Sequence, residues 1–241
     1  MLSDIENQQN NNKQVKLTSD ISFALKQAKK KLQADEKLTY LNLSNHNIGS
    51  SGGIKLLSKA LENNKTLTHI NLRNSNIDDE GAKIVAKFLQ NNNIVTKIDL
   101  SNNNISCEGV SHLVPVLKIN NTLDEMNLAH NDINDQGADI LAKFLANNRT
   151  LKRIHLDNNH IGPNGGFKLC KALELNRTLT EITLNGTLLY HNEAEELVKS
   201  LKNKKIVSKI MLSFYDHEKY DMNSNYHKLL ELLTETYNYI E

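Results

Sequence analysis

The sequence predicts an α/β solenoid, a curved horseshoe with parallel strands on its concave face, α-helices on its convex face and about 28 residues per repeat. Three observations carry this prediction. A short apolar pattern returns at a nearly constant interval, and each return is followed by a glycine and then an apolar pattern at helical spacing. Aromatic residues are scarce, tryptophan is absent and Pro115 and Pro163 are the only prolines, whereas a conventional globular core uses more large rings.

The returning segments are LTYLNLSNHNI at Leu38, LTHINLRNSNI at Leu67, VTKIDLSNNNI at Val95, LDEMNLAHNDI at Leu123 and LKRIHLDNNHI at Leu151, with weaker copies at Leu179 and Val207. Their starts are separated by 29 residues once and by 28 five times. Within each segment the apolar residues equivalent to Leu41 and Leu43 are spaced by two, which puts both on one face of a short, half-buried strand. Downstream, Gly53, Gly81, Gly109, Gly137 and Gly165 precede apolar residues at helical spacing, such as Val85, Phe88 and Leu89 or Leu141, Phe144 and Leu145. Asn64, Asn92, Asn120, Asn148 and Asn176 stand three residues before the next strand pattern, where a left-handed C-terminal cap is expected. One such unit cannot close a core, so the units stack and bury their strands and helices against their neighbours.

The ends differ, as the exposed apolar faces of an array require. Residues 1–16 are rich in asparagine and glutamine and are expected to be disordered. Residues 17–37 read as an N-terminal capping helix, with Ser19 or Asp20 as its cap and Phe23, Leu25, Ala28 and Leu32 as its apolar stripe. Six repeats fill 38–206, and a final strand with a C-terminal capping helix, striped by Tyr226, Leu229, Leu230, Leu233, Tyr237 and Ile240, fills 207–241.

These residues resemble the ribonuclease-inhibitor-like leucine-rich repeats over about Thr18 to Leu212. The asparagine that bonds between turns in that family is kept at Asn103, Asn131 and Asn159 and replaced by His46, Ser75 and Thr187, so the ladder is expected to weaken at both ends. The asparagine and lysine bias of a small array is also similar to effector proteins of intracellular bacteria. The stretch ELLTETYNYIE resembles type IV translocation signals, although a capping helix accounts for it equally well.

Composition narrows the function. A net charge of +1 gives no basic field for nucleic acid or a membrane surface. No apolar run reaches the roughly 20 residues that span a bilayer, and the start of the chain lacks a secretory pattern. Cys107 and Cys170 are too few for a disulfide framework, which fits a reducing cytoplasm, including a host cytosol reached by secretion. No catalytic or metal site is expected: His69 and His155 fall three strands apart, and His46, His130 and His160 occupy turns. Gly52-Gly53 and Gly165-Gly166 lack the lysine that a phosphate loop needs, so no cofactor is expected, and Lys29, Lys30 and Lys31 read as a solvated helix face.

The resemblance implies binding on the concave sheet, so the outward positions of the strands are the expected site. The third position of successive repeats reads Tyr40, His69, Lys97, Glu125, Arg153, Glu181 and Lys209, with charges alternating from Lys97 onward. Such charges either pair across strands or read a complementary pattern on a protein partner. The fifth and seventh positions add Asn42, Asn71, Asp99, Asn127, His155 and Asp157, with Ser44, Arg73 and Ser101. Tyr40, Arg73 and Arg153 are the residue types that anchor interfaces, and Met211 and Phe214 join them if the last helix leaves them open. The expected function is that of a non-enzymatic, monomeric protein-binding module. The resemblance implies two further readings: a regulator of an enzyme, such as a GTPase-activating protein or an inhibitor, and an actin-associated domain similar to tropomodulin.

Overall fold

A computed structural model describes residues 38–49, 52–62 and 64–186 of the chain, together with the backbone of 209–212. The expected tail, both capping helices, the position of Thr187, and the side chains of Met211 and Phe214 lie outside the described residues.

Strand and helix alternate as the repeat requires. The strands are β1 (Tyr40–Asn42), β2 (His69–Asn71), β3 (Lys97–Asp99), β4 (Glu125–Asn127), β5 (Arg153–His155), β6 (Glu181–Leu184) and β7 (Lys209–Leu212). Among the described residues the helices are α1 (Gly53–Leu61), α2 (Asp79–Asn91), α3 (Cys107–Leu117), α4 (Asp135–Leu145) and α5 (Pro163–Leu175). The strands form one parallel sheet in chain order, as expected of units that each contact only their neighbours.

Register follows the repeat, pairing Tyr40 with His69, His69 with Lys97, Lys97 with Glu125, Glu125 with Arg153 and Arg153 with Glu181. The central residue of each strand (Leu41, Ile70, Ile98, Met126, Ile154 and Ile182) points into the core, and the residues on either side of it face outward. Further rows stack behind it: Leu43, Leu72, Leu100, Leu128, Leu156 and Leu184 at the strand ends, then Ile48, Ile77, Ile105, Ile133 and Ile161 in the turns. Leu61, Leu89, Leu117, Leu145 and Leu173 close the core from the helices.

Polar residues tie each turn to the next. Asn103 donates through Nδ2 to the carbonyls of Leu72, Leu100 and Ser101, and its Oδ1 accepts from the amides of Ser75 and Ile77. Asn131 and Asn159 repeat the Nδ2 bonds one and two turns on, but each Oδ1 accepts from a single amide, that of Ile105 and of Ile133. At the N-terminal end the ladder weakens as expected: Ser75 reaches the Leu43 and Arg73 carbonyls through a single hydroxyl, and His46 is exposed and bonds only within its own turn.

The asparagines at the helix ends act differently from expectation. Asn92 and Asn176 are extended, with φ −106° and −66°, and the non-glycine residues with positive φ among the described residues are instead Asn45, Asn47, Asn74, Asn76, Asn102, His130 and Asn158 in the strand-to-helix turns. Asn64, Asn92, Asn120, Asn148 and Asn176 each use Oδ1 to accept from the two backbone amides that lead into the next strand. Asn120 and Asn176 also donate back to the preceding turn. The side chain rather than the backbone makes the turn, the Asx arrangement that asparagine supports equally well.

Helix starts are also shared between repeats. Asp78, Ser106 and Asn134 cap their own helices. In addition Asp79, at the start of α2, accepts from the amides of Ser106 and Gly109, and Asp135, at the start of α4, accepts from those of Gly162 and Gly165. A carboxylate on one helix thus satisfies the orphan amides of the next, where the dipole also favours it.

The concave face as a candidate interaction surface

The sheet lines up the expected site residues, and their side chains divide into those committed to the fold and those left open. Asn42, Asn71, Asp99 and Asn127 each accept through Oδ1 from the backbone amide two residues on, which fixes the turn as the chain leaves the strand. Asn42, Asn71 and Asp99, expected to bind a partner, therefore have one side-chain oxygen already engaged. Nothing in a periodic pattern distinguishes such a turn-forming asparagine from a recognition residue.

In the middle of the sheet the charges pair with one another. Glu125 sits between Lys97 at 3.1 Å and Arg153, whose Nε donates to it at 2.7 Å. Asp124, a residue not singled out from the sequence, extends the network to Lys152 at 3.5 Å and to Arg153 at 3.8 Å, the latter an ion pair without a hydrogen bond. Its signal was the opposite charge of Asp124 and Lys152 at the second position, where four other repeats carry Thr39, Thr68, Thr96 and Thr180. Partial burial works to raise the Glu125 pKa, but hydrogen bonds and charge attraction from Arg153 and Lys97 outweigh it and hold the carboxyl below its ordinary value of 4.5. Arg153 is correspondingly raised, chiefly by its bond to Glu125.

A depressed carboxylate pKa stabilises the fold above the unfolded value, and that contribution is lost as pH falls through the folded one. Glu125→Gln is therefore expected to lower stability by about 0.5–1 kcal/mol near neutrality, the scale of a partly exposed network. The difference from the unsubstituted chain disappears in acid, as pH falls through the lowered folded pKa and Glu125 becomes protonated. Urea unfolding at both pH values checks this, and an equal difference at both contradicts the pairing.

At the C-terminal end Thr183, which is buried, donates its hydroxyl to Asp157, so its oxygen accepts from Nδ1 of His155 at 3.2 Å. The other Asp157 oxygen accepts from the Asn185 amide. At β2 the Thr68 hydroxyl lies within bonding distance of the Thr39 carbonyl, at 3.1 Å, and of His69 Nδ1, at 2.7 Å. Both imidazoles are thus anchored through Nδ1.

Over β1 and β2 the surface is open. Tyr40 is 52 % exposed, its hydroxyl accepting only a long 3.4 Å contact from Asn71 Nδ2. Arg73 is exposed, and among the described residues no carboxylate pairs with its guanidinium. Two of the three expected anchors, Tyr40 and Arg73, are therefore available, whereas Arg153 is engaged by Glu125. Among the described residues no group of three His, Cys, Asp or Glu side chains is placed to hold a metal ion, and no helix is long and apolar enough to cross a membrane.

A parallel one-sheet solenoid with a repeating asparagine ladder and helices along its outer side defines a leucine-rich-repeat protein, and the chain belongs to that family. Residues 19–132 match the model of the TMOD/LMOD leucine-rich domain, and residues 147–170 match a general leucine-rich-repeat model. The fold is similar to the solved structure of Leiomodin-1 Actin-Binding Site 2, at 22 % identity and a TM-score of 0.55, covering 64 % of this chain and 88 % of that one. The tropomodulin C-terminal domain of Caenorhabditis elegans aligns at 14 % identity with a TM-score of 0.41, covering 90 % of this chain and 95 % of that one. No curated protein sequence matches the chain.

Proposed function

We propose that this chain is a non-enzymatic, actin-associated binding module that holds its partner on the concave face. The observation that carries this reading is the match of residues 19–132 to the TMOD/LMOD leucine-rich domain, a stretch that contains β1 to β4 and the open Tyr40 and Arg73. The likeness to a structure named as an actin-binding site of leiomodin supports it. The chemistry is that of recognition: an aromatic ring and a guanidinium that no described carboxylate pairs, on a sheet stiffened by its turn bonds, suit a protein surface carrying acceptors and a flat apolar group. The module acts as a monomer in a reducing cytosol, which Cys107 and Cys170 fit as thiols outside any disulfide. A bacterial effector delivered to a host cytosol would meet the same partner there.

Cosedimentation with filamentous actin tests this directly. The chain is expected to sediment with filaments, and the Tyr40→Ala/Arg73→Ala variant, confirmed as folded by circular dichroism, to bind at least about tenfold more weakly. Absence of binding to filaments and to monomeric actin rules out the actin reading. Undiminished binding by the variant removes the concave face from it.

A further inference from the structure

The convex side carries a second surface, independent of the actin reading. Between α1 and α2 the helices leave a groove of about 360 Å³. It opens because of what α1 turns toward its neighbour: apart from the buried Leu61, its lining residues Lys55, Ser58, Lys59 and Glu62 are polar and spaced as one helical face. In α1 Ala60 also stands one repeat before Phe88, so the ring that fills this position in α2 and, as Phe144, in α4 is missing.

The glycines show how far α1 stands off. A Cβ added at Gly109, Gly137 or Gly165 would meet the preceding helix at 2.5, 3.3 and 2.6 Å, because those helices pack closely. At Gly81 of α2 the three nearest atoms belong to Ile77 and Asp78, in its own turn, and none comes from α1.

The groove's charges are unlike those of the other helices. On the other convex helices Lys83 pairs with Glu80, Lys143 and Lys168 with Asp139, and Lys171 with Glu174, while Lys118 at the end of α3 has no ion pair among the described residues. Lys55, Lys59 and Lys87, which line the groove, form no ion pair among the described residues. Glu80 is within electrostatic reach of Lys55, but its carboxylate is bonded to Lys83. Beneath the ammonium groups lies an apolar floor made by Ile84 and Phe88.

We propose that the α1–α2 groove binds an acidic amphipathic segment of a protein partner, its apolar side chains on Ile84 and Phe88 and its carboxylates against Lys55, Lys59 and Lys87. Three cations around an apolar floor match such a segment in both charge and burial. The volume lies at the small end of the roughly 300–1,000 Å³ of ligand pockets, which admits a few side chains. A phosphodiester backbone is the poorer match. It would lay charge on the apolar floor, with no exposed ring among the lining residues for bases to stack on.

Selection of a displayed library of random 15-residue peptides on the intact chain tests this without presuming the partner. The recovered sequences are expected to combine Asp and Glu with Leu, Ile or Phe at helical spacing. As synthetic peptides they are expected to bind the Lys55→Gln/Lys59→Gln/Lys87→Gln variant at least about tenfold more weakly. They are expected to bind Ser58→Trp, which fills the groove and keeps the lysines, more weakly as well. Circular dichroism confirms both variants as folded, and because the substituted residues lie outside the buried core, neither change removes core packing. Three results would overturn the proposal: a pool without acidic and apolar enrichment, peptides that bind both variants undiminished, or preferential binding of single-stranded RNA over the peptides.

Discussion

Replacing Asn103 by alanine lowers the unfolding free energy by about 3–5 kcal/mol, the largest loss expected from any single position of the ladder. The reason lies in what each bond leaves behind. Asn103 is 7 % exposed, and its removal strips the Ser75 and Ile77 amides of the acceptor they share, in residues that are fully buried. The Leu72 carbonyl loses its bond to Asn103 Nδ2 as well. By contrast, when Asn131 is removed the Leu100 and Leu128 carbonyls keep bonds to Asn103 and Asn159, the Ala129 carbonyl keeps the Asn102 amide, and the Ile105 amide is orphaned. At about 1–3 kcal/mol for each orphaned buried donor, the expected order of loss is Asn103→Ala, then Asn131→Ala, then Ser75→Ala. Urea unfolding followed by circular dichroism measures the order, and hydrogen exchange localises it: because repeats couple only to neighbours, amides around Ile77 exchange faster and those of β6 do not. A loss at Asn131 equal to or above that at Asn103 contradicts the bond assignment.

Much of that ladder was legible before any coordinate, because one repeat is a complete sentence of the fold. The 28-residue interval placed each strand and helix, and the alternation of charge across parallel strands anticipated the pairing of Lys97, Glu125 and Arg153. What escaped has a common physical cause. Asparagine is compatible both with a left-handed backbone and with an Asx turn, so its presence at Asn92 or Asn176 did not choose between them, and φ decided. Asn42 and Asn71 look like recognition residues from their outward register, yet their oxygens bond locally to Ser44 and Arg73. The caps from Asp79 and Asp135 act 27 to 30 residues away, and the α1–α2 groove follows from a mismatch of side-chain size between neighbouring helices. A pattern within one repeat carries neither.

The same interhelical contact makes Gly165→Ala the second severe substitution. In a helix, alanine in place of glycine is ordinarily favourable by up to about 1 kcal/mol. Here the new Cβ would lie 2.6 Å from Asp135 Oδ1, 2.8 Å from the Ala138 Cβ and 2.9 Å from the Asp135 Cα. A carboxylate can rotate away, at the loss of its bonds to the Gly162 and Gly165 amides, but a Cα and a Cβ on α4 cannot. The two helices must separate, and a net loss of about 2–3 kcal/mol is expected, the scale of an overpacked core. Gly81→Ala provides the comparison, since it makes the same change at the same repeat position. Its nearest contact is the Ile77 Cγ2 at 2.8 Å, within its own turn, and α1 contributes none of the three nearest atoms. A small effect is expected there, the helical preference for alanine offsetting a side-chain adjustment. Thermal unfolding of the two variants side by side therefore reads the spacing of α4 and α5 against that of α1 and α2. Equal midpoints would mean that α1 packs on α2 as closely as α4 on α5, and would close the groove as well.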